Sequence, residues 1–410
     1  MNYKILALVL IGLIFLYQLA VDCLAMASAR RKIPENVADV YDLPAYHRWL
    51  RYFKEKTRLA LLRHIAAHVT TLVIVAFDVY ARIANALFPE GIYGAALAVL
   101  AADMVISLLY EIPFDYVNDL VIEQKYGFNH MSSKTFFIDQ LKSLLVGLIL
   151  TGGLCCLFIL IHQTLGNWLP LAFAGLMLLF VLGAVFLSPF FSKLYNKFEP
   201  LPEGTLRDRL TALLTENGCT VKAIYVMDAS KRSSKANAYF TGLGRTKTIV
   251  LYDTLLEQMN EDEIVAVFAH EMGHNKHRDT LKMYFLNAVN VAIMALLAWG
   301  VISIPEIYPD FGFLGVNYGF AFFLMASVGM SFLSPLTGLV FSALSRRFEY
   351  GADCFAAERG YGQALISALK KLARNTFTCL TPHPALVALT YSHPTVSQRV
   401  AALEQVGGQT

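Results

Sequence analysis

The sequence predicts a mainly α-helical fold, in which a seven-transmembrane helical bundle is joined to a smaller α+β domain. Hydrophobic residues make up 56% of the 410 residues and charged residues only 16%, whereas a soluble domain is about half apolar and about a quarter charged. The apolar residues are clustered in runs of about 20, the length that crosses a bilayer core of about 30 Å. A long polar region with strand-like segments separates the fifth run from the sixth.

The predicted membrane helices are placed by these runs, which lie at 5–22, 65–87, 92–110, 143–163, 168–190, 284–303 and 318–341. The first run also fits a cleaved signal peptide, because Lys4 precedes it and the small residues of 25–29 follow it. Cleavage would leave a strongly basic segment outside the cell, against the preference of Lys and Arg for the cytoplasmic side. We therefore favour an uncleaved anchor.

The orientation follows from the same preference. Segment 23–64 is rich in Lys and Arg, whereas the connections 88–91, 164–167 and 304–317 contain none. Every cation except Lys4 and Arg82 falls on one side of the predicted bilayer. This pattern predicts an external N-terminus, a cytoplasmic C-terminus and cytoplasmic polar domains.

Four parts of the chain result from this division. They are an N-terminal membrane domain at 1–190 with five helices and cytoplasmic loops 23–64 and 111–142, a polar domain at 191–283, helices six and seven at 284–341, and a C-terminal cytoplasmic part at 342–410.

The polar domain combines helices and strands. Residues 206–218 have helical spacing and end at a glycine. Segments 221–230 and 248–255 are rich in β-branched and aromatic residues, which predicts strands. Residues 236–244, between them, suit a short strand and a turn.

The chemistry is predicted on the next helix, 261–277, which begins with acidic residues that suit its N-terminal dipole. It contains HEMGH, so His270 and His274 lie one turn apart on one face and can hold one tetrahedral Zn²⁺. Glu271 lies beside the metal, where it can take a proton from a zinc-bound water. The alternative is two histidines exposed to solvent.

A zinc ion held by two histidines needs a third protein ligand. Residues 345–360 predict a helix directly after the seventh run, with Glu349 and Asp353 four residues apart. Glu349 is placed to reach the metal, and Asp353 to orient a ligand histidine. From spacing alone, a solvated helix face next to the membrane explains these carboxylates equally well.

Further motifs are NAYFTG at 237–242, EYGAD at 349–353, YSHPTVSQRV at 391–400 and EQKYGF at 123–128. Together with HEMGH, they resemble the type I CAAX prenyl endopeptidases over nearly the whole chain. These are multi-span zinc proteases whose eukaryotic members trim the tripeptide after a prenylated cysteine. The resemblance implies a membrane chamber that is capped by a cytoplasmic zinc metalloprotease domain.

The resemblance also implies the role of each site residue. His270, His274 and Glu349 become the ligands of one Zn²⁺ per chain, Glu271 the general base, and Asp353 the partner that orients a ligand. Asn237 is expected in the strand that binds the substrate, and His393 and Arg399 near the reacting carbonyl.

His393 and Arg399 each have a second explanation. His393 suits a hydrogen-bond donor to the oxyanion, but Ser392 or Thr395 at this place can instead cap a C-terminal helix, with His393 incidental. Arg399 is suited either to lock the segment to a carboxylate or to bind the carboxyl terminus of the substrate.

The expected partners are a peptide or protein substrate and the lipid bilayer. A net charge of +3 and the lack of a basic run with interleaved aromatic residues argue against nucleic acid. An intramembrane protease is disfavoured, because residues 257–280 are strongly charged. The remaining alternative is a transporter or scaffold with a degenerate metal site.

Two questions about biological role stay open. Prenyl-protein processing and quality control of membrane proteins fit the sequence equally. The chain ends in GGQT with no endoplasmic-reticulum retrieval signal, so we expect a bacterial inner membrane, where no prenylated substrate is required.

Overall fold

The computed structural model describes residues 2–218, 222–241 and 248–408, and most of them are helical. The helices are α1 Tyr3–Ser28, α2 Leu43–Ala76, α3 Val79–Leu87, α4 Ile92–Tyr116, α5 Ser133–Leu165, α6 Leu169–Tyr195, α7 Thr205–Glu216, α8 Asp253–Gln258, α9 Glu261–Lys276, α10 Asp279–Ile302, α11 Ile307–Asp310, α12 Tyr318–Phe323, α13 Ser331–Ala356, α14 Gly362–Asn375, α15 Pro384–Thr390 and α16 Val396–Gly407. The strands are β1 Phe198–Pro200, β2 Ala223–Met227, β3 Ala238–Thr241 and β4 Thr248–Tyr252.

Six helical stretches among the described residues are long and apolar enough to cross a membrane. They are Tyr3–Ser28, Leu43–Ala76, Ile92–Glu123, Ser133–Gly183, Asp279–Ile302 and Tyr318–Asn375. The fourth stretch includes α5 and part of α6, which meet at a short 3₁₀ turn, Gly166–Trp168. A multi-pass helical protein is therefore confirmed, whereas the arrangement of seven crossings around a chamber stays a prediction.

The second predicted span, 65–87, is wrong as a single helix. Helix α2 ends at Ala76 and α3 begins at Val79, because Asp78 between them has a left-handed backbone with φ of 54°. The Asp78 carboxylate accepts a hydrogen bond from Lys4 Nζ at 2.8 Å. This ion pair compensates the charge of Asp78 beside an apolar helix.

The predicted loops 23–64 and 111–142 are largely helical in the structure. Helix α2 begins at Leu43, α4 continues through a π-helical segment to Glu123, and α5 begins at Ser133. The membrane helices thus continue well beyond their apolar parts, where polar side chains are solvated without ending the helix.

The polar domain contains a four-stranded sheet in the order β1-β2-β4-β3. Strand β2 pairs in parallel with β4, and β3 pairs with β4 in the antiparallel direction. The three predicted strands are present, but they are shorter than predicted, because residues Ala229–Lys231 form a 3₁₀ turn and α8 begins at Asp253. The predicted turn at 242–244 lies outside the described residues. Strand β3 forms one edge of this sheet.

Helix α9 lies at the centre of the polar domain. Its N-terminus is fixed by a capping box, in which Asn260 Oδ1 accepts from the Glu263 amide at 2.9 Å and Glu263 Oε2 accepts from the Asn260 amide at 3.0 Å. Val265, Phe268 and Ala269 of α9 are buried in one core with residues of α7, α13, α14 and α16. This core holds α9 against the C-terminal end of α13.

Candidate metal centre

Helices α9 and α13 touch through their backbones at Gly273. A Cβ atom on Gly273 would lie 2.7 Å from Ala352 Cα, closer than such atoms approach. Only glycine therefore permits this contact. It places the HEMGH helix directly against the helix that carries Glu349 and Asp353.

The contact brings together His270, His274 and Glu349, whose ligand atoms all lie within 4.8 Å of one another. His270 Nε2 is 3.5 Å from Glu349 Oε2, and His274 Nε2 is 3.3 Å from Glu349 Oε1. Tetrahedral zinc with ligands at about 2.1 Å separates neighbouring ligand atoms by about 3.4 Å. The two distances between the histidine nitrogens and the Glu349 oxygens therefore suit zinc.

Glu349 supplies a second sign that the group suits a cation. Its Oε2 atom is buried and has no hydrogen-bond partner. Arg399 Nη1 lies 3.2 Å away, but this contact lacks the geometry of a hydrogen bond. An unsatisfied buried carboxylate oxygen is costly, and a metal ion would satisfy it.

Both histidines are oriented by carboxylates. His270 Nδ1 lies 2.9 Å from Asp353 Oδ1, and His274 Nδ1 lies 3.1 Å from Asp279 Oδ2. If each Nδ1–H donates to its carboxylate, both Nε2 atoms are left to bind a metal. The position predicted for Asp353 agrees with this geometry.

Asp279 is a site residue that the sequence analysis missed. It is buried, and it also accepts a hydrogen bond from Lys282 Nζ at 2.9 Å. The signal was an acidic residue five positions after His274, but five positions do not share a face of one helix. Asp279 reaches back because Arg278 has a left-handed backbone with φ of 55°, which separates α9 from α10.

Arg399 forms a two-pronged ion pair with Asp353. Its Nε atom donates to Oδ2 at 2.8 Å and its Nη2 atom to Oδ1 at 2.6 Å, and both residues are buried. The structure thus contains the first of the two predicted Arg399 contacts, the lock to a carboxylate. Binding of the substrate by Arg399 stays a prediction.

His393 lies beside the metal group. Its Nδ1 atom is 2.9 Å from Glu349 Oε1, while 63% of its side chain is exposed. Thr395 also caps α16, since its hydroxyl accepts from the Gln398 amide at 3.2 Å. The capping and functional explanations of this segment are therefore compatible.

Glu271 follows the first ligand histidine directly. Burial raises the pKa of its carboxyl above the ordinary value, and the nearby imidazoles of His270 and His274 only partly oppose this rise. The carboxyl thus lies beside the two ligand histidines, where the general base is predicted, and its role as a base stays a prediction.

Asn237 lies just before the edge strand β3 and is exposed. Its backbone carbonyl accepts from the Tyr252 amide at 3.1 Å, which continues the pairing of β3 with β4. Its side-chain oxygen accepts from the Ala238 amide at 2.9 Å. A role of Asn237 in binding a substrate stays a prediction.

Comparison with known proteins gives two family matches and several close relatives. Residues 200–406 match peptidase family M48, and residues 24–197 match the CAAX prenyl protease N-terminal family, described as five membrane helices.

The chain is 35% identical to a CAAX prenyl protease 1 homolog of Oryza sativa over 75% of this chain and 73% of that protein. It is 29% identical to CAAX prenyl protease 1 of Saccharomyces cerevisiae over 92% and 89%. The crystal structure of S. mikatae Ste24p superposes with a TM-score of 0.90 at 26% identity, over 98% of this chain and 99% of that chain.

Proposed function

The chain belongs to peptidase family M48 and is a membrane metalloendopeptidase, and from this premise we propose that His270, His274 and Glu349 hold the Zn²⁺ it uses to hydrolyse peptide bonds. The observation that carries the proposal is the spacing of 3.3–3.5 Å between the histidine nitrogens and the Glu349 oxygens. A transporter or scaffold with a degenerate site has no need for an intact ligand set with a base beside it.

Different residues of the chain are proposed to carry out different steps of peptide-bond hydrolysis. Zinc in this site would polarise the scissile carbonyl and a water molecule. Glu271 accepts the proton from the attacking water and delivers it to the leaving amine. His393 donates a hydrogen bond to the carbonyl oxygen as its negative charge develops. Asp353 and Asp279 keep the two ligand histidines in place.

The substrate is proposed to pair with the outer edge of β3, the terminal strand of the described sheet. A peptide in an extended conformation can add a strand to such an edge through backbone hydrogen bonds. The segment before β3 is held by Lys235, whose Nζ lies 3.0 Å from Oε2 of the buried Glu123 at the end of the α4 stretch. This ion pair ties the substrate strand to the membrane helices.

Loss of this tie should weaken substrate binding. We expect Lys235→Met, like Asn237→Ala, to raise KM severalfold with kcat near that of the wild type, because the strand moves while the metal group stays intact. Lys56→Met is the matched control, since Lys56 Nζ contacts Oε1 of the same Glu123 at 2.7 Å from helix α2. Equal kinetics for the two lysine variants would remove the strand from substrate binding.

The proposed substrates are proteins trimmed near their C-termini, in keeping with the names of the relatives. Purified protein in lipid nanodiscs should release the C-terminal tripeptide from a farnesylated peptide that ends in Cys-aliphatic-aliphatic-X, as detected by mass spectrometry. Chelation should abolish the release and added Zn²⁺ should restore it. Comparison with the unprenylated peptide separates prenyl-protein processing from general quality control, and cleavage that survives chelation would refute the role of zinc.

The active site is proposed to face the cytoplasm, which rests on the distribution of Lys and Arg. In a variant without native cysteines, single cysteines at 88–91, 164–167 or 304–317 should react with an impermeant reagent on intact cells. Cysteines at 231–235 or after 360 should react only after permeabilisation, and the opposite pattern would reverse the orientation. The bacterial inner membrane remains a prediction, and the relatives compared above are eukaryotic.

A further inference from the structure

A basic cavity of about 400 Å³ lies between the segment that follows α1 and helices α13, α15 and α16. The described residues that line it include the cations Arg31, Lys32 and Arg346 and no acidic residue. Leu380, Pro384 and Val387 give it apolar walls. A cavity with this lining suits a ligand that has a negative charge next to an apolar group.

The cations are available to such a ligand. Arg31 and Lys32 are exposed, and neither takes part in an ion pair within the described part of the chain. Arg346 donates to the backbone carbonyls of Val387 and Tyr391 at 2.9 and 2.7 Å, both through Nη1. No described residue accepts a hydrogen bond from its Nε and Nη2 groups, which can therefore bind an anion.

The cavity adjoins the metal group along two helices. Arg346 lies three residues before the ligand Glu349 on α13. Thr395 and Gln398, which line the cavity, lie within the segment between His393 and Arg399. The helical turn from Arg346 to Glu349 and the two extended residues from Thr395 to His393 each span less than about 8 Å. A fully extended peptide of three residues is longer, at about 10 Å.

We infer that this cavity binds the carboxyl terminus of the peptide substrate and so sets how many residues are removed. The inference rests on the proposed function. Arg399 is another cation near the centre, but Asp353 already occupies its Nε and Nη2 donors. Arg31, Lys32 and Arg346 face the carboxylate, and the apolar walls contact the side chain of the last residue.

Two peptides that differ only in a free or an amidated C-terminus test the inference. We expect the wild type to cleave the free acid with a kcat/KM roughly tenfold or more above that of the amide, because charged hydrogen bonds to the carboxylate are lost in the amide. The double variant Arg31→Gln/Lys32→Gln should lose most of this preference through a higher KM for the acid.

The control is Arg30→Gln/Lys54→Gln, which removes two cations that line a different cavity beside α1 and α2. This variant should keep the wild-type preference. Equal cleavage of acid and amide by the wild type, or an unchanged preference in the Arg31/Lys32 variant, would overturn the inference while leaving the protease activity established. Cleavage of neither peptide would refute the proposed function and the inference with it.

Discussion

Replacement of Glu271 by glutamine is expected to lower kcat by about a thousandfold or more while zinc stays bound. Glutamine keeps the size of the side chain but cannot accept the proton of the attacking water, and general acid–base catalysis typically contributes about 10²–10⁴ in rate. The ligands His270, His274 and Glu349 remain unchanged. Steady-state kinetics and metal analysis of the same preparation measure both effects.

A comparison with His393→Ala makes the assignment sharper. This variant should lose about a hundredfold or more in kcat, since one donor to the oxyanion is removed, and it should also keep its zinc and its thermal stability. Turnover of Glu271→Gln at the wild-type rate would exclude Glu271 as the base. Unchanged turnover of His393→Ala would leave Arg399 or backbone amides near Asn237 as the donor.

Gly273→Ala is expected to dismantle the metal site although it adds only one methyl group. The new Cβ would lie 2.7 Å from the Ala352 backbone, so α9 and α13 must separate. The ligand atoms on the two helices are 3.3–3.5 Å apart, and displacement by a few tenths of an ångström spoils tetrahedral binding. We expect at least a tenfold loss of zinc affinity, the size of effect caused by disturbing the residues that hold ligands in place.

The direction of the change distinguishes a steric clash at this contact from the ordinary helix propensity of alanine. Alanine favours a helix over glycine by about 1 kcal/mol, so without the close contact the substitution would stabilise the protein. Gly338→Ala on α13 is the matched control, because a Cβ there meets no atom within 4 Å. Zinc competition titrations should separate the two variants, and equal affinities would show that the helix contact does not set the ligand spacing.

The parts predicted well from the sequence were those with local signals. The periodic segment 261–277 and the spacing of His270 and His274 predicted α9 and one face of the site. Glu349 and Asp353 were left undecided by spacing and required the family resemblance, because no local pattern encodes the packing of α9 against α13, two helices that are distant in sequence.

What was missed depends on backbone conformations and contacts that no local pattern encodes. The left-handed Arg278 brings Asp279 back to His274, and the left-handed Asp78 breaks the second predicted span. The helical extensions of the membrane segments were missed because apolar runs mark only the part inside the bilayer.

The central claim, that Glu349 completes a zinc site with His270 and His274, is tested most directly by metal analysis of two proteins. The wild type should contain about one zinc per chain, and Glu349→Ala purified in parallel should contain little, because two histidines alone hold zinc weakly. Full zinc occupancy in Glu349→Ala would contradict the account.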